Sequence, residues 1–165
     1  MIEQLGLYLS ENADPLAKQI MADWDALGPR EPWHRLPPSM DHDHLPDMIA
    51  KLAATALITY FGEKERKALA WVAVQHGEHR FELGIAEETV HREYELLRWA
   101  LWRRLKEKAD STIASQGIIR LDSALSFSHA ASLRGYHRRA IEASDDWAAM
   151  MDRFITEWSF PSPIQ

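Results

Sequence analysis

With 165 residues, 46% of them apolar, the chain has the length and composition of one domain with a working core, and a mainly disordered protein is excluded. A formal charge of −6 and a pI near 5.7 provide no basic face for neutralising phosphates, so nucleic acid is not an expected partner. The lack of cysteine removes disulfides, thiolate zinc sites, cysteine nucleophiles and thiol redox sensing together.

The opening MIEQLGLYLSENADPLAK has no basic stretch followed by an apolar one, and no apolar run approaches the roughly 20 residues that cross a bilayer. A cytoplasmic protein without stable membrane insertion is the expectation. Apolar residues recur at three- and four-residue steps along nearly the whole chain, without sustained alternation, which predicts an all-α fold: a helical bundle or a globin-like helical domain. A first helical region spans Ile2 to Leu27, divided near Asn12 to Pro15, with Asp14 as cap and Pro15 at the first helical position. Gly28-Pro29 ends it. The stretch GPREPWHRLPPS holds four of the eight prolines and reads as a loop that crosses the surface or packs through Trp33 and Leu36.

A second helix is expected from Asp43 to Tyr60, with Pro46 in its first turn and Leu45, Met48, Ile49, Leu52, Ala53 and Ala56 on one stripe; Phe61-Gly62 stops it. The next helix runs from Lys64 to Leu83 and ends at Gly84, a suitable left-handed cap. Another begins after Ile85 and continues to Ala109, with Glu87 and Glu88 in the first turn, where the helix dipole favours acid. These two are expected to form a central antiparallel hairpin. A final helical region of one or two helices covers Ile113 to Trp158, with Gly117 and Gly135 as candidate bends, completing a single domain over 1–158. Residues 159–165, SFPSPIQ, read as a proline-rich tail or linker stub.

A hairpin pivoting near Ile85 brings Arg80 opposite Val90 to Glu93 and His76 opposite Tyr94 to Leu97, so an Arg80–Glu93 ion pair is expected to fix the register. His76, beside Trp71, Val72 and Val74, reads first as a hydrogen-bonded core histidine. Gly77 next to it costs a helix roughly 1 kcal/mol relative to alanine, which implies the close approach of another helix or of a ligand. The metal patterns are weak. Only Glu88-Thr89-Val90-His91 fits a Glu-x-x-His motif, His76-Gly77-Glu78-His79 has the wrong spacing for a zinc protease, and Asp41 to His44 sits where acidic helix caps belong. No metal and no cofactor is expected. G-x-S-x-G and phosphate-loop glycines are absent, and His129 lacks the flanking residues of a phosphoacceptor, so no catalysis is expected. Trp99 and Trp102 in the basic segment Arg98 to Lys106, together with the Trp147, Met150, Met151, Phe154, Trp158 stripe, are the candidates for an interface between copies.

The set His76-Gly77, Arg80-Phe81, Gly84, Glu93-Tyr94 and Leu97-Arg98 resembles the N-terminal domain of RsbT co-antagonist proteins of the RsbRD type, a domain also found at the front of bacterial sensor histidine kinases. The likeness is strongest from Leu69 to Leu105 and extends more weakly to His44-Leu45-Pro46. It implies a non-catalytic signal-input domain in stress-response or histidine-kinase signalling, acting through a protein partner, its own copy or a small ligand. His76, Gly77, Arg80, Glu93, Tyr94 and Arg98 are then the candidate ligand or relay residues. Relatives carry this domain ahead of a STAS domain or kinase core, which leaves open a stand-alone domain or the front part of a longer protein. The alternative is a globin-like sensor holding haem or another apolar ligand, with His76 as the best-placed axial residue.

Overall fold

In the computed structural model, residues 1–26 and 44–162 are described, and among them every regular element is helical, with no strand. The expected proline-rich loop, with Trp33 and Leu36, and residues 41–43 lie outside the described part. None of the described helices is long and apolar enough to cross a membrane.

Helices α1 (Ile2–Glu11) and α2 (Ala13–Asp25) are separated at Asn12, whose φ of −107° and ψ of 18° leave the helical region. The new helix starts at Ala13, so Asn12 takes the cap position in place of Asp14, and Pro15 falls on the third helical residue, where its missing N–H is still harmless. Helix α3 (Leu45–Ala53), with Pro46 at its start, passes into a π-helical turn, Ala54–Ile58. The sequence predicts one regular helix to Tyr60; the widened turn and the two left-handed residues after it, Tyr60 (φ 50°) and Phe61 (φ 62°), are departures from that expectation. Left-handed non-glycine residues cost roughly 1–2 kcal/mol each. Tertiary contacts offset this: the buried Phe61 ring stacks on Phe160 at 4.2 Å, and Tyr60 Oη donates to the Pro161 carbonyl at 2.7 Å. Residues 160 and 161 are thus packed on the body and do not form a free linker.

Three longer helices share the core with α1, α2 and α3: α4 (Glu63–Glu82), α5 (Glu87–Lys108) and α6 (Ser111–Tyr136). Gly84, at φ +70°, makes the turn between α4 and α5, and Tyr136 Oη holds that turn by donating to the Ile85 carbonyl at 2.7 Å. Asp110 caps α6 by accepting from the amides of Thr112 and Ile113, each at 3.0 Å. Although α4 and α5 are consecutive, α4 packs far more extensively on α6 than on α5. Both helices carry small buried residues that allow this, Ala70, Ala73 and Gly77 on α4 and Ala124, Ser128, Ala131, Ser132 and Gly135 on α6, with Gly77 against Ser132 and Gly135 against Val74. A Cβ at Gly77 would lie 1.8 Å from the Ser132 carbonyl oxygen, and one at Gly135 would lie 2.1 Å from that of Val74. Gly117 and Gly135, expected as bends, are therefore positions inside one continuous helix, and Gly135 serves backbone contact.

The chain finishes with α7 (Arg138–Glu142) and α8 (Trp147–Glu157). Helix α8 lays Phe154 flat against Phe127 of α6 at 5.1 Å, with Trp158 edge-on to both rings.

Candidate functional site

His76 and Arg80, four residues apart on one face of α4, converge on Glu93 of α5. His76 Nε2 lies 2.9 Å from Glu93 Oε2, and Arg80 Nε lies 2.9 Å from Oε1. Arg80 and Glu93 are each only 3% exposed. The arginine contact is short but off line: Nε and Nη1 of Arg80 and Oε1 of Glu93 have no directed hydrogen bond, so charge attraction holds this half of the cluster. Burial pushes the Glu93 carboxyl up, but His76 and Arg80 together outweigh it and hold the group below its ordinary value.

Tyr94, the next residue, points its hydroxyl into the contact with α6. Its O–H donates to the Ser128 carbonyl at 3.2 Å, and Ser128 Oγ lies 2.9 Å from the phenol oxygen. Burial raises its ionisation far out of the ordinary range, so the phenol remains a donor. The ring is stacked on His129 at 4.6 Å, and His129 Nε2 lies 2.8 Å from His91 Nδ1 on α5. Glu87 then sits between His91 (3.5 Å) and His137 (2.7 Å) at the end of α6. One turn beyond Tyr94, Arg98 Nε binds Asp122 Oδ1 at 2.5 Å. Of the candidate relay residues, His76, Arg80 and Glu93 thus meet directly and Tyr94 adjoins them, its ring edge-on to His76 at 6.1 Å. Gly77 serves the α4–α6 contact, and Arg98 belongs to a separate ion pair.

The sequence reading missed the His91–His129 link and the Glu78–Arg138 pair, 2.6 Å long, which ties α4 to α7. It stressed Glu88 with His91, whereas the i,i+4 partner Glu87 is the one in reach. Among the described residues, no group of three histidine or carboxylate side chains is placed to hold a metal; residues 41–43 lie outside them. His76 Nε2, the atom a haem iron requires, is occupied by Glu93.

The interface candidates divide. Trp147 and Met151 are buried and Trp158 is packed on Phe127 and Phe154, so the α8 stripe belongs to the domain's own core and is corrected as an interface. Trp99 is 65% exposed and meets the half-buried Trp102 at 5.3 Å. Trp99, Leu96 and Ala100 line a surface groove of about 270 Å³ with Ile20 and Trp24 of α2, bordered by the Asp23–Arg103 ion pair. Trp99→Ala is expected to change stability by less than about 0.5 kcal/mol, and Trp147→Ala to cost about 3 kcal/mol or more. Urea melts of the two variants check this, and the opposite ranking would overturn the assignment of core and surface. In comparisons with family models, curated proteins and solved structures, nothing matches this chain.

Proposed function

We propose that this chain is a cytoplasmic, non-catalytic bacterial signal-input domain of the kind its sequence resembles, acting on a stress-response or histidine-kinase output through protein contacts or a small ligand. The observation that supports this reading is the His76–Arg80–Glu93 cluster: a buried charge set, incompletely hydrogen-bonded, joining α4 to α5 beside the Tyr94–Ser128 contact with α6. Such a cluster is costly for stability alone, which favours a role beyond stability for the residues that join these helices.

The test replaces the chromosomal gene by a double variant, Arg80→Met with Glu93→Leu, that keeps the volume and removes the charges. Transcripts of the host's stress regulon, and binding to any STAS, kinase or sigma-factor regulator encoded nearby, are then read. Loss of regulation by a folded variant is the expected result; regulation equal to wild type would overturn the reading.

Self-association belongs to the same proposal, with the Trp99–Trp102 face as the contact, because it is the exposed aromatic surface next to an apolar groove. Light scattering over a concentration series is expected to show a dimer that Trp99→Ala weakens. A strict monomer at high concentration would exclude it.

A further inference from the structure

We propose that the His91–His129 pair is an acid-operated catch between α5 and α6. It deepens the signal-input reading by naming protonation as one input, and it rests on that reading only for its meaning in the cell. Two imidazoles with ring nitrogens 2.8 Å apart need one donor and one acceptor, so at most one of them carries a charge. Glu87 lies 3.5 Å from His91 Nε2, while His91 Nδ1 is the atom that faces His129. A second proton removes the accepting lone pair and sets two N–H groups and two charges against each other. The contact then has to open, and the Tyr94 ring loses the imidazole stacked on it.

The described groups facing His129 oppose a charge there, Glu87 excepted. They are His91, Arg98 and Glu87 from α5 and His76 from α4; Arg98 is engaged by Asp122, His76 by Glu93, and Glu87 is shared with His137. Burial first, and His91 next, hold His129 down to about 4, below its ordinary 6.5. An opened catch takes up a proton near 6.5 and a closed one only near 4, so closure is complete above the first value and is lost progressively as the pH falls between them. From these two values the opening equilibrium rises about 30-fold between pH 7.5 and pH 5.

Hydrogen exchange on the full chain at pH 7.5 and pH 5, with chelator present and rates corrected for the intrinsic pH dependence, tests the catch. Protection over residues 87–97 and 122–132 is expected to fall by about that factor in wild type. The fall should be much smaller in His129→Gln, which still accepts from His91 but does not titrate, and unchanged in His137→Gln. An equal fall in wild type and His129→Gln, or none in wild type, overturns the proposal. Should His129→Gln not fold, the titration of the His129 ring by NMR in wild type decides: a midpoint below about 5.5 supports the catch, and one at or above that value overturns it. None of these readouts depends on the transcript response, so the catch and the signalling role fail independently.

Discussion

Gly77→Ala is expected to abolish cooperative unfolding of the chain near ambient temperature. Its new methyl carbon would lie 1.8 Å from the Ser132 carbonyl oxygen and 2.8 Å from the Tyr136 nitrogen, both backbone atoms of α6. Overpacking commonly costs about 1–3 kcal/mol because side chains yield. Here two helix backbones must separate along their most extensive contact, so the cost exceeds that range, against a total stability of roughly 5–15 kcal/mol for a domain. Gly135→Ala meets the Val74 backbone at 2.1 Å and should behave alike. Gly84→Ala serves as the control: nothing lies within 4 Å of its added carbon, and its φ of +70° alone makes it cost about 1 kcal/mol. Thermal melts of the three variants check the ranking. A Gly77→Ala protein that melts like wild type would show that the crossing is not this close.

Arg80→Ala is expected to cost about 3 kcal/mol, since it leaves the Glu93 carboxylate buried with His76 as its remaining partner among the described residues. The double variant Arg80→Met with Glu93→Leu should recover most of that loss, because removing both charges removes the desolvation penalty. The pH response carries a sign. In wild type Glu93 lies below its ordinary 4.5, so its contribution is full above that value and is lost as the pH falls beneath it. In Arg80→Ala the carboxyl shifts up, and protonation relieves the variant, so the gap to wild type narrows on acidification. Urea melts at pH 7 and pH 4.5 measure both effects; an Arg80→Ala protein as stable as wild type at pH 7 would exclude a buried pair.

The Arg80–Glu93 contact was readable from the sequence because it is nearly local: Gly84 marks the pivot, and both residues lie within about two to three helical turns of it. The helix limits near Gly84 and Glu87 were readable for the same reason, since caps and breakers act within a turn. What lay beyond reach is contact at long range. Nothing in the pattern around Ser132 and Gly135 says that α4 is their partner, and nothing local pairs His91 with His129. The Trp147 to Trp158 stripe shows the limit most plainly: amphipathic spacing reveals that a face is covered, but not whether the cover comes from the same chain. Its partners here are Phe127 on α6, which meets both Phe154 and Trp158, and Arg138 of α7, which lies over the Trp147 ring. The π turn before Tyr60 has no local sequence cue; it lies against Gly6 of α1, where an added Cβ would lie 2.7 Å from Ile58 and 2.9 Å from Leu57.

The glycine crossing also dictates an order of events. Val74 and Gly77 meet residues roughly 60 positions later, so the largest contact in the molecule forms only after the chain closes a long loop that contains all of α5. Helix α5 and its turn at Gly84 assemble from near neighbours and can be present earlier. Substitutions along the α4–α6 seam should therefore speed unfolding more than they slow folding, and those at the Gly84 turn should slow folding. A chain emerging from the ribosome holds α4 with its small-residue face open until Gly135 has been synthesised, which makes that face the stretch most in need of protection during its birth.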